Sequence, residues 1–351
     1  MNPLARCSLL GLLVACSAPP ASPPALPSAA VAPPPAPSAT VESPPVAVSS
    51  AAAASSAPVA SVAPPPAQVA ATFHRELADP VSAIALETPP HAAALGSDRV
   101  FLHDARGWRS EVLPKNARPG PSLDLSLFYG RDNRVRLIGT HAGKSGPEGV
   151  YLRWLPAGFK REKAEIGRLS DPHGAIVAVL GTAEPEIVCR PGDVCLIKRR
   201  SGWASVKAPP DIQRVVLGGG VGWAVAGQTL LRLGADAWEP VGAKGSWQSA
   251  DALFATREKA WILETSAGLI HTFGAAAWTI TTAPLAHPRA IWGATENALW
   301  LVGDEGLAFF DGALWRPVPG APAPLASVIG RSADDVWIGG SGGLFRVERA
   351  R

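Results

Sequence analysis

The sequence predicts an all-β ring of repeated blades, and three observations carry that prediction. First, eight of the twelve tryptophans fall on two interleaved series. Trp223, Trp261, Trp300 and Trp337 are 38, 39 and 37 residues apart, and Trp203, Trp238, Trp278 and Trp315 are 35, 40 and 37 apart. A fixed period of this size marks a supersecondary unit that buries its apolar face only by stacking on copies of itself. Second, each of the better-formed units holds four short β-rich runs bounded by Gly, Asp and Asn turns, the content of one propeller blade. Third, the last repeat lacks its fourth run, while Phe73-His74-Arg75-Glu76-Leu77 precedes the first with nothing else to pair with. Together these predict a β-propeller of seven four-stranded blades closed by an N-terminal strand, with six or eight blades as alternatives.

The chain opens with Arg6 and then the largely apolar run Cys7-Ser8-Leu9-Leu10-Gly11-Leu12-Leu13-Val14-Ala15. A helix needs about 20 apolar residues to span a bilayer, so this run suits a signal-peptide core instead. It ends in Leu13-Val14-Ala15-Cys16, which resembles the lipobox of bacterial lipoproteins. That resemblance implies cleavage after Ala15, making residues 1–15 the signal, and lipid attachment to the Cys16 thiol. Ser17 stands where inner-membrane lipoproteins of that family carry Asp, so the expectation is an outer-membrane lipoprotein facing the periplasm or the cell surface.

Residues 16–70 are mostly Pro, Ala, Ser and Val, with the single charge Glu42 and no aromatic. Too little bulky apolar surface is present to offset chain entropy, and the prolines favour extended polyproline II. This segment reads as a disordered tether carrying the ring, residues 71–351. The formal charge of the whole chain is only +3. No basic stripe interleaves with aromatics, so nucleic acid is not an expected partner.

Within the ring the clearest repeat runs from Asn297-Ala298-Leu299-Trp300-Leu301-Val302-Gly303 through Gly306-Leu307-Ala308-Phe309-Phe310 to Trp315. An apolar run such as Arg289-Ala290-Ile291-Trp292-Gly293 precedes each of the later hairpins. Counting backwards, Trp203, Phe159 and Trp108 close the third, second and first blades, with Val188 standing in as the hairpin partner of Trp203. Ser332-Ala333-Asp334-Asp335-Val336-Trp337 and Asp311-Gly312-Ala313-Leu314-Trp315 resemble blades of secreted bacterial propellers. In outline the pattern is similar to sialidase-type and photosystem-assembly propellers and to the propeller lipoprotein of outer-membrane barrel assembly. Those relatives differ in what they do, so the resemblance implies a fold and not an activity.

The regular recurrence of the ladder tryptophans argues for a packing role. Trp154, Trp247 and Trp292 lie off the ladders and are freer to act on a ligand. Gly339-Gly340-Ser341-Gly342-Gly343 matches a nucleophile elbow but occupies a hairpin turn, without the strand-to-helix context that motif needs. Gly139-Thr140-His141-Ala142-Gly143-Lys144-Ser145 falls one residue short of a phosphate loop, with Ile138 where its first Gly belongs. The seven histidines are scattered with no metal-ligand spacing, and His271, mid-strand, reads as a packed or surface side chain and not a ligand. No catalytic set, metal or cofactor is expected.

Cys189 and Cys195 flank Arg190-Pro191-Gly192-Asp193-Val194, the predicted hairpin turn of blade three. Opposed hairpin positions in an exported protein predict a disulfide. Blade two opens the equivalent hairpin to a long turn over residues 140–149. Six polar residues of such turns form the candidate binding surface: His141, Lys144 and Glu148 in blade two, Asp193 in blade three, Asp304 and Glu305 in blade six. Two functions stay open. One is a membrane-tethered, monomeric, non-catalytic module that binds or assembles a protein or glycan partner. The other is a glycan hydrolase or lyase working at the ring mouth, which requires converging acid and base groups.

Overall fold

The computed structural model describes residues 68–349, apart from 88, 115–122, 130–133, 144–145, 156–157, 162–176, 180–185 and 200–201. The strands form seven four-stranded antiparallel sheets arranged as a seven-bladed β-propeller. Blade one spans Ala83–Val112, blade two Leu123–Arg161, blade three Val177–Lys207 and blade four Ile212–Pro240. Blade five spans Ala252–Thr282, blade six Pro288–Val318 and blade seven Leu325–Arg349. Strands are counted here as first to fourth from the axis outward. Blade seven supplies only three from its own stretch, and Ala71–Leu77 is its fourth. Ala71 pairs with Arg349, Phe73 with Val347 and Leu77 with Leu344, so the two ends of the described chain share one sheet. Closure removes the open edges and bare faces that a six-and-a-half-bladed ring would expose.

The two tryptophan ladders meet across the blade interfaces. Hairpin tryptophans face the next blade, and closing tryptophans face the one before. Trp223 of blade four and Trp278 of blade five pack in one cluster, and Trp261 of blade five and Trp315 of blade six in another. Trp337 of blade seven meets Trp108 of blade one edge to face, with centroids 6.2 Å apart. Between blades six and seven the partner of Trp300 is Phe73, so the closing strand supplies the aromatic that every other fourth strand supplies. Rings in this arrangement add to area burial through their quadrupoles. Blade three departs from the expected alignment. Val188 faces Ile138 of blade two, while Ile187 and Cys189 face blade four. The hairpin partner role therefore passes from Val188 to Ile187.

Cys189 and Cys195 are directly opposed in register and form a disulfide with Cα atoms 3.9 Å apart. Both are fully buried, and the Trp238 indole N–H of blade four donates to the Cys195 Sγ at 3.3 Å. A loop this short gives about 2 kcal/mol in the chain-entropy model, a local staple.

Candidate functional site

Antiparallel pairing sorts the connections to the two ends of the ring. Turns between second and third strands lie with the links between blades: Gly192 N–H donates to Pro209 O at 2.9 Å, and Asp304 N–H to His287 O at 3.2 Å. Three of the six candidate surface residues are placed by these turns and are tied down locally. Asp193 accepts from Arg190 at 3.4 Å. Asp304 accepts from the Arg289 guanidinium at 2.6 and 3.1 Å, which holds its carboxyl below the usual range. Partial burial pushes Glu305 up, but hydrogen bonds from the His287 ring and backbone N–H outweigh it and leave its carboxyl lowered. Asp304 and Glu305 are neighbours in one turn, apart from Asp193 in blade three. These carboxylates fasten link to turn, and the sequence signal that suggested a surface, charge in a turn, is spent on that fastening.

The long turn of blade two is corrected. Strands two and three continue as a ladder, with His141 opposite Glu148 and Gly143 opposite Gly146, so the insertion lengthens the hairpin. Backbone groups satisfied by pairing are favoured over an open loop of ten residues. Lys144 lies outside the described residues, as do Cys16 and the tether through residue 67. The phosphate-loop near-match falls on this hairpin, and Ser341 lies in a hairpin turn between Gly340 and Gly343. No group of three or more metal-ligating side chains occurs among the described residues.

The off-ladder tryptophans separate. Trp247 is fully buried, with its indole N–H on Gly227 O at 2.8 Å, and belongs to the core. Trp154 lies beneath the Arg109 guanidinium, 5.0 Å from its ring centre. Trp292 is different: it lines a cavity of about 490 Å³ between the first strands of the blades.

That axial cavity is lined from blades one, two, four, five, six and seven. Its walls carry Phe128 of blade two, Leu217 of blade four, Phe254 of blade five, Trp292 of blade six and Ile329 of blade seven, all partly exposed. Glycines make room for the two largest rings. A side chain at Gly293 would collide with the Phe254 ring, and one at Gly330 with the Trp292 indole. The polar side chains lining it are Ser82, Ser126, Ser327 and Tyr129; no carboxylate, histidine or basic group does so among the described residues. Burial, and then the charge of Glu87, push the Tyr129 phenol far above its ordinary range, so it stays neutral. At the mouth Arg331 is engaged by Asp335 at 2.6 Å and by Glu87 O at 2.8 Å, which clamps blade seven to blade one. Of these residues the sequence pointed only to Trp292. The missed signal is a bulky residue followed by Gly or Ala at the end of the first strand: Leu217-Gly218, Phe254-Ala255, Trp292-Gly293, Ile329-Gly330.

No family model and no curated protein matches the sequence. Solved structures do resemble the fold. A virginiamycin B lyase from Staphylococcus aureus, solved with quinupristin, is 13% identical, with a TM-score of 0.57 over 79% of this chain and 99% of that one. YCF48 bound to D1 peptide is 16% identical, with a TM-score of 0.55 over 80% of this chain and 97% of that one. The WD40 β-propeller domain of Doa1 is 12% identical, with a TM-score of 0.53 over 81% and 96%. At these identities a lyase, a peptide-bound protein and a WD40 domain share architecture with this chain, and the likeness carries no activity across.

Proposed function

We propose that this chain is an extracytoplasmic lipoprotein whose propeller is a non-catalytic binding or assembly module for a protein partner. The axial cavity supports the reading. Its wall of aromatic and aliphatic side chains with a few hydroxyls suits capture of an apolar group. A hydrolase or lyase at the same mouth needs two converging acid and base groups, typically ~5–9 Å apart for glycosides, and the described lining supplies neither. One fold neighbour, YCF48, is seen with a peptide, which is compatible with a ring of this kind acting as a docking platform.

Two experiments test the proposal. Ser126 is exposed in the cavity, so Ser126→Arg places a guanidinium there without disturbing the core. The expected result is that a partner cross-linked and co-purified with the wild-type protein is lost from the variant, at an unchanged unfolding midpoint. Turnover of a glycan panel by the wild-type protein overturns the reading. For the anchor, Cys16→Ser is expected to abolish incorporation of a fatty-acid probe; a variant that still labels shows that the lipid sits elsewhere.

A further inference from the structure

The interface between blades five and six lacks a side chain that neighbouring interfaces contain. Along the blade face that meets the next blade, cross-strand rows can be read in register. In blade four the row is Trp223, Arg232, Glu239. In blade six it is Trp300, Phe309, Arg316, and in blade seven Trp337, Arg346, His74. In blade five it is Trp261, Thr272, Thr279. Long side chains are replaced by two threonines, and a groove of about 590 Å³ opens against Phe310, Leu314 and Trp315 of blade six.

What fills the other interfaces indicates what this one receives. Arg109 lies over Trp154 at 5.0 Å between blades one and two, and Lys198 over Trp203 at 5.3 Å between blades two and three. Arg232 lies over Trp223 at 5.5 Å between blades four and five, and Arg349 over Phe309 at 4.6 Å between blades six and seven. A cation over an aromatic face is held by the ring quadrupole, more strongly when desolvated. Between blades five and six no cation among the described residues lies over Trp261, Phe310 or Trp315. The one lysine there, Lys259, is drawn to Glu296 at 2.9 Å. Leu314 stands 58% exposed at the lip. The opposite lip is the turn at Ala275 and Ala276, both at positive φ (49° and 62°), where Gly or Asn is the usual residue. The fourth strand of blade five, Ala277–Thr282, runs along the groove, and no described strand pairs with its outer edge.

We propose that this groove docks an extended segment of a protein partner and takes an arginine side chain from it, stacked on the Phe310–Trp315 wall within reach of Glu296. An extended segment fits because strand addition along Ala277–Thr282 presents alternate side chains to the groove every two residues. The inference rests on the ring being a binding module but not on its axial cavity, so its test is read at the groove alone.

The probe is the peptide acetyl-Ala-Arg-Ala-Arg-Ala-amide, titrated into the full chain purified in detergent, with the indole N–H resonances of Trp261 and Trp315 as readout. Saturable shifts are expected, at least tenfold weaker for the citrulline analogue. Thr272→Arg supplies in cis the residue found at this register in blades four and seven, and is expected to abolish the shifts. Glu296→Lys, on a partly exposed side chain, is expected to weaken binding about tenfold by removing the carboxylate, and decides the matter if Thr272→Arg fails to fold. Absence of saturation at millimolar peptide overturns the proposal. So does equal binding of the citrulline analogue, full binding by both variants, or a shift produced by oligosaccharides in place of the peptide.

Discussion

Removing residues 17–77 is expected to lower the unfolding midpoint by about 10 °C and to cause aggregation, whereas removing 17–67 leaves the midpoint within ~2 °C. The longer deletion takes the whole fourth strand of blade seven, with its pairing from Ala71 through Leu77. It also takes Val69 and Phe73 from the cluster around Trp300, Val336 and Val347. Loss of that burial costs about 3–5 kcal/mol by area, and a kilocalorie is ~2–4 °C in a domain of this size. The last strand of blade seven is then an open edge that templates pairing with other chains. The shorter deletion stops before Val69, whose N–H reaches Pro317 O at 3.4 Å. Scanning calorimetry of both at one heating rate decides the point. Equal midpoints mean that Ala71–Leu77 does not close the ring.

His271→Ala is expected to cost about 3–5 kcal/mol, more than a typical surface or single-contact change. His271 and Glu264 are 2% and 3% exposed and share a 2.9 Å hydrogen bond inside blade five. The Gln248 backbone N–H donates to the other carboxylate oxygen at 2.9 Å, and Trp247 packs its ring against the imidazole at 5.7 Å. Removing the imidazole leaves a buried carboxylate with one fewer partner and a void beneath an indole. The paired substitution His271→Leu with Glu264→Met is expected to cost less than the single one, because no uncompensated charge remains. Blades six and seven carry Gly303 and Gly340 at the position of Glu264, so the pair is a local device of blade five. Urea unfolding of the three proteins gives the comparison. A cost under 1 kcal/mol for His271→Ala would show that the carboxylate is not held in the way described.

The blade architecture was legible because it is written as a period. Trp300 and Trp315 recur wherever an interface needs a large ring, and the missing fourth run of the last repeat located its substitute at Phe73. The disulfide was legible because a six-residue offset across a hairpin leaves Cys189 and Cys195 opposed. Convergence was not legible. Phe128, Phe254 and Ile329 come from three blades, and nothing in any one repeat states that their first strands face a common axis. Charges misled for a related reason. Asp304 and Glu305 look available in a turn, but His287 arrives from the preceding link and Arg289 from the first strand of the blade, and no local pattern announces them. Trp247 looked free because it is off the ladder, yet it fills the space above His271 between blades four and five.

Pairing Ala71 with Arg349 also sets an order of events. The strand that closes the ring is made before blade one, and its partner is the last strand of blade seven. It therefore waits through the making of all seven sheets before it has an edge to join. The entropy of bringing the ends together is not what delays it. Loop closure grows only as the logarithm of length, so joining positions 278 apart costs about 2 kcal/mol more than joining neighbours one repeat apart. The timing of closure is governed by chain production, and until then the last edge of blade seven has no cover and the Trp300 cluster lacks Phe73.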